Sequence, residues 1–354
     1  MKNRFLLILS GLGLLVSQSC TKDTTIVDPP VVVNAFDQGV FITSEGQFPS
    51  GSGAVSYYNR TTGQVQKDIF QQVNGVPLGN IVQSMEIFDS LAYIVVNNAK
   101  IIEIVSAGTF KSKGTIGGFT SPRYFLGING NKAYVSDWAN NIAVVNLATR
   151  LVIKTIPTGT GPEQMIMAGT DIYVINGGGW GIDSTVTVID TRTDMATHTI
   201  QVGKRPTGIV ADGAGNVWVM CSGQSYMGNS EGHLMRINPS THIIDKDIPF
   251  PGTALHPERL IANKDKTILY FLYSGGIYQM NLALQFEYNV LVEKGNFNFY
   301  NLGFDPVENV IFATDALDYQ QAGLTYRFNA ENGEMVNSFG VFEVGVVPGN
   351  FFFK

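Results

Sequence analysis

A β-rich run ending in Asn, Asp, Ser or Gly occurs seven times along the chain. The copies are GVFITSEG (39–46), LAYIVVNN (91–98), KAYVSDWANN (132–141), DIYVINGGG (171–179), NVWVMCSG (216–223), ILYFLYSGG (268–276) and NVIFATDA (309–316). Their aromatic positions, Phe41, Tyr93, Tyr134, Tyr173, Trp218, Tyr270 and Phe312, recur about every 40–50 residues. A repeat of this length is one supersecondary unit that must stack on its neighbours to bury its apolar face. Each copy is followed by a second alternating run, such as NIAVVNLAT or TVTVIDTRT. A third follows, as in VIKTIPTG and ATHTIQVG, and then a fourth after a proline-containing turn, as in PEQMIMAG and PTGIVADG. Four runs with period-two alternation predict four antiparallel strands per unit. No amphipathic helical stretch of useful length follows residue 33. The predicted fold is therefore all-β: a seven-bladed β-propeller with four antiparallel strands per blade.

The ends of the repeat series predict how the ring closes. No inner strand precedes the first copy. Near the C-terminus, Val347-Pro348-Gly349 falls where Arg205-Pro206-Thr207-Gly208 falls earlier. Residues 351–353 are thus expected to be the inner strand of blade one, so that the C-terminal strand closes that blade and leaves no unpaired edge. Residues 172–219 contain YVINGGG and then STVTVIDTRTDMATHTIQVGKRPTGIVADGAGNVWV. This stretch resembles the YVTN-type propeller repeat, also found in YncE-like proteins, most strongly over 130–220.

The first residues, MKNRFLLILSGLGLLVSQSC, stand apart from the repeats. Lys2 and Arg4 precede the apolar run 5–16, which is too short to span a membrane and reads as a secretory signal over 1–19. VSQSC resembles a relaxed lipobox, which makes Cys20 the lipidated residue. The alternative is an ordinary signal peptide with an incidental cysteine. Residues 20–33 then form the lipidated tether, and 34–354 the propeller. Lys22-Asp23 resembles the short charged signals of Bacteroidota surface lipoproteins, so the expected location is the outer membrane, lipid-anchored and exposed at the cell surface. Past residue 20 the net charge is −8, from 21 basic and 29 acidic residues. That balance argues against nucleic acid as a partner, and Lys204, Arg205 and Arg123 form no basic stripe. Cys221, in the apolar run VWVMC, reads as a buried structural thiol.

In an up-and-down blade, the loop between the second and third strands lies at the same end as the blade-to-blade connection. The longer segments collect there, including 45–53, 176–184, 222–232 and 315–323, while the opposite face carries short polar turns such as LATR and NPSTH. Loops that grow on one side of a rigid scaffold carry function. The candidate ligand-binding residues on this face are Glu45, Phe48, Asn97, Asn98, Asp137, Trp138, Asn176, Trp180, Tyr226, Asp315 and Tyr319, with Phe297, Phe299 and Tyr300 nearby. Aromatics among amides and few charges suit a large, partly planar ligand. Alternatively, the same aromatics plug the ring. The glycines of GGGWG permit positive φ or a close backbone approach.

Catalytic motifs are missing: there is no HExxH, no G-x-S-x-G and no Walker loop. His198, His233, His242 and His256 are read as scattered over both faces, so no metal site and no cofactor are expected. His256 reads either as a ligand contact or as an ordinary loop histidine.

The first blade, ITSEGQFPSGSGAVSYYN, resembles the opening blade of a Bacteroidota family of surface propeller lipoproteins. Glu45, Gly46 and Phe48 agree with its N-E-G-x-F pattern, while Ser44 stands where Asn is usual. The best-known members are BtuG-type cobalamin-binding proteins. The resemblance implies a surface lipoprotein that captures a nutrient, with cobalamin or another corrinoid favoured, and passes it to an outer-membrane TonB-dependent transporter without chemistry. The alternatives are a protein-interaction scaffold that binds no small molecule, and a propeller lyase or hydrolase acting through Asp137 or Asp315.

Overall fold

The computed structural model describes residues 35–49, 51–224, 229–284 and 286–354. The signal, Cys20, the tether and Tyr226 lie outside the described residues. The described residues form seven four-stranded antiparallel sheets, and in six of them four consecutive strands run in sequence order. The seventh joins Pro348–Phe353 to Gly39–Ser44, with Val40 opposite Phe353 and Ile42 opposite Phe351. The expected closure of blade one by the C-terminal strand is thus present.

Burial runs in layers from the axis outward. Second strands such as Gly39–Ser44 and Val310–Asp315 are buried along their whole length, because a neighbouring blade covers each face. Outer strands such as Met195–Gln201 are exposed except at one or two positions. The repeated aromatics from Phe41 to Phe312 are all buried between blades, each worth about 1.5–3 kcal/mol of apolar burial. Several also carry a polar tip to the next blade. Tyr134 donates to Asp194, the Tyr173 hydroxyl lies 2.8 Å from Nδ1 of His242, and Tyr270 donates to the carbonyl of Ala330 at 3.1 Å.

Blade one departs from the repeat. Its outer strand is only Val65–Gln66, and a short helix, Ile69–Asn74, follows. Asp68 caps the helix by accepting from the Gln71 N–H, and Gly75 ends it at φ 76°. Ile69 and Phe70 are buried and join the cluster around Phe41 and Phe110. The apolar residues at 69, 70 and 73 give one face of this helix a hydrophobic stripe.

Candidate functional site

In each of the seven blades, the register between inner and second strands slips near the long-loop end. Among the residues in these slips are Gln83, Arg123, Tyr124, Glu163, Gln164, Thr207, Arg259 and Tyr300. A bulge bends its strand and re-aims a side chain. Here all eight residues line one cavity of about 640 Å³ at the long-loop end of the ring. Loop residues Glu45, Phe48, Asn97, Asn98, Trp138 and Trp180 line it as well.

One wall is a cluster around Glu163. Its carboxylate accepts from Arg123 Nε at 3.1 Å to each oxygen and from Trp138 Nε1 at 2.9 Å. Arg123 also donates to Gln83, and its guanidinium carbon lies 4.1 Å from the Trp138 ring centroid. Trp180 meets Trp138 edge-on at 5.6 Å and is otherwise 94% exposed. The glycines before it serve a backbone clamp. Gly177 and Gly178 donate to the carbonyls of Gly161 and Thr160, and a Cβ on Gly161 would lie 2.1 Å from the nitrogen of Gly179. Gly178 and Gly179 hold positive φ, at 93° and 57°. Close approach fixes the segment, and Trp180 stands at its tip.

Across the cavity, Tyr300 donates to Oε1 of Glu45 at 3.0 Å. Burial pushes the Glu45 carboxyl above the usual range, against the pull of Tyr300, Arg123 and Arg259. The Arg259 guanidinium carbon lies 5.2 Å from the Tyr300 ring centroid. Beside this wall a second groove of about 460 Å³ is lined by Glu45, Phe48, Tyr300, Asp318 and Tyr319.

Six of the eleven expected site residues therefore line the main cavity, and Tyr319 flanks it. Asp137, Asn176 and Asp315 do not face it. Asp137 is buried and accepts from the backbone N–H groups of Thr120, Ser121 and Ala139 at 2.7–2.9 Å. Asp315 does the same for Asn298 and Leu317. Asn176 donates to Thr185 and Thr187. The backbone of the adjoining loops thus holds the two aspartates and two threonine hydroxyls hold Asn176, and none of the three lines the cavity. Phe297 and Phe299 stack on each other at 4.9 Å and pack, half-buried, against Tyr326 and Phe328 at the edge of the core.

The charged residues Arg123, Glu163, Glu258 and Arg259 also line the cavity, and the sequence reading did not select them. Their signal was the position just after or near the proline that opens each fourth run, in SPRYF, GPEQM and HPERL. His198 and His242 lie together on the short-turn side, where their rings meet at 4.1 Å, because the outer strand of blade four abuts the turn of blade five. Among the described residues no group of three or more His, Cys, Asp or Glu could hold a metal ion. His256 lies outside the cavity lining and pairs through Nδ1 with the Ser222 carbonyl at 2.8 Å. Cys221 is buried, and burial pushes its thiol up to about 12.

The chain belongs to the family described as a domain of unknown function, DUF5074, which matches residues 38–354. No curated protein matches it. Solved structures share the fold at low identity. A quinonprotein alcohol dehydrogenase-like protein of Bacteroides thetaiotaomicron is 13% identical, with TM-score 0.67, over 90% of this chain and 78% of that one. Kuenenia stuttgartiensis hydrazine synthase is 14% identical, with TM-score 0.58, over 68% and 74%. The extracellular domain of a B. thetaiotaomicron protein described as a one component system is 13% identical, with TM-score 0.60, over 86% of this chain and 43% of that one. At such identity the likeness concerns the fold alone.

Proposed function

We propose that this member of the family is a cell-surface lipoprotein, anchored in the outer membrane through Cys20, that captures a small molecule in the long-loop cavity. The favoured ligand is a corrinoid, which is passed on to a TonB-dependent transporter. The observation that carries this reading is the convergence of inner-strand side chains and the loop aromatics Phe48, Trp138 and Trp180 on one cavity. Its volume falls within the range of small-molecule sites. A corrinoid is larger than this space, and would seat part of itself in the funnel while Phe48, Trp180 and Tyr319 brace the rest. A rigid ring with its aromatics already placed keeps the ordering cost of binding low. Capture without turnover fits the committed state of the carboxylates: Glu163 serves Arg123 and Trp138, and Glu45 serves Tyr300.

Isothermal titration of the purified protein with cyanocobalamin tests the ligand. Heat and a spectral shift at micromolar ligand, both lost in Trp138→Ala, are expected. Silence in the wild-type protein removes corrinoids. Membrane fractionation of Cys20→Ser tests the anchor, with release into the soluble fraction expected.

The exposure of Phe48 and Trp180, 72% and 94%, favours a second reading. In it the same rim docks a partner protein, and a co-purifying protein lost on Trp180→Ala would establish it.

A further inference from the structure

The cavity holds three arginines, and they are not equivalent. Arg123 is held by Glu163, Gln83 and the Trp138 face, and Arg205 stands exposed on the rim. Arg259 sits deeper: it lines both the cavity and the central channel below it. Its Nε is buried with no hydrogen-bond partner. No carboxylate among the described residues forms an ion pair with it. Its one close contact of note is the Tyr300 ring face. Glu258 and Glu45 share the cavity and soften the cost of the charge, but neither takes a hydrogen bond from it. Arg259 is half-buried, and a guanidinium whose Nε is shut from water with its donor unused carries a cost. A bulge that re-aims it into a funnel makes sense if something else completes its hydrogen bonds. The planar fork of arginine matches a carboxylate or a phosphate, which accept two parallel bonds.

We infer that Arg259 is an anion post at the foot of the cavity, and that the natural ligand carries a carboxylate or phosphate which seats there while its apolar or planar body lies against Trp138 and Trp180. This rests on the capture reading above and adds the charge class of the ligand. Glu163 and Glu45 flank the path to the post and bias it toward ligands with one anionic group rather than several, since a second would meet a carboxylate.

The test uses the purified protein and four probes: inorganic phosphate, phenyl phosphate, benzoate and the neutral benzyl alcohol. Emission from Trp138 and Trp180 reports occupancy, and the ¹⁵N resonance of the Arg259 Nε reports the post itself. Phenyl phosphate or benzoate is expected to bind at least about tenfold more tightly than benzyl alcohol. Arg259→Gln should erase that advantage without changing benzyl alcohol, and Arg259→Lys should keep part of it. The stronger of the two anions identifies the group. Equal binding of neutral and anionic probes, or an Arg259→Gln variant that keeps the advantage, overturns the inference. If Arg259→Gln does not fold, the wild-type resonance decides: a shift on adding inorganic phosphate supports the post, and an unmoved resonance refutes it. A moved resonance with no emission change for any aromatic probe would leave the post standing and count against the aromatic-ligand reading instead.

Discussion

The indole N–H of Trp138, in a loop of blade three, donates to Oε1 of Glu163, on the inner strand of blade four, at 2.9 Å. The bond ties a loop to the neighbouring blade and turns the Trp138 ring so that Arg123 covers it. Replacing Trp138 by Phe keeps the ring but removes the donor. The expected cost is about 0.5–1.5 kcal/mol. Glu163→Ala should cost more, because Arg123 and the indole both lose their acceptor. Urea unfolding of the two variants gives the order, and a milder Glu163→Ala would contradict the cluster.

Ring closure predicts a larger effect far from the cavity. Arg60 donates to Asp305 at 2.6 Å and to the carbonyl of Lys354 at 2.5 Å, joining blade one, blade seven and the C-terminal residue. The side chains of the pair are 8% and 0% exposed. Arg60→Ala strands a buried carboxylate and should cost about 3–5 kcal/mol. In a thermal melt this is a fall of roughly 2–4 °C per kcal/mol. A midpoint unchanged within a degree or so would show that the closure does not need this pair.

Trp180 separates stability from binding. At 94% exposure it contributes little to folding, so Trp180→Ala should change unfolding free energy by less than about 0.5 kcal/mol. If it braces a ligand, affinity should fall by about 2 kcal/mol, or roughly 30-fold. A variant that melts early, or binds cyanocobalamin as before, would remove Trp180 from the site.

The central channel predicts a pH dependence. Glu86 faces the space lined by Tyr124, Phe125 and Met165. Burial pushes its carboxyl up to about 7, offset only in part by the Gly127 N–H. The folded form thus holds a proton that the unfolded form releases near 4.5. Its contribution is fully present below pH 4.5 and fades as pH rises through 7. Glu86→Gln should therefore flatten the loss of stability between pH 5 and 8. Melts at both ends of that range check the slope, and an identical slope in the variant would place the titration elsewhere.

The sequence alone determined the ring. Seven copies of a four-run unit, with buried aromatics at a fixed place and a proline-opened strand missing from the front and present at the back, allow one economical way to bury every face and pair every edge. Alternation and repetition are local properties, so they are legible without coordinates. They also placed the long loops on one side, which brought Glu45, Phe48, Asn97, Asn98, Trp138 and Trp180 to the cavity. The sequence did not show which polar residues face inward. Asp137, Asn176 and Asp315 look like ligand groups in a string of letters, but the two aspartates accept from backbone groups up to seventeen residues away, and Asn176 donates to the hydroxyls of Thr185 and Thr187. Arg123, Glu163 and Arg259 look like ordinary strand residues, and only the bulge turns them to the axis. A bulge depends on how two strands pair, and a cavity on how seven blades converge. Both were therefore decided by the tertiary structure.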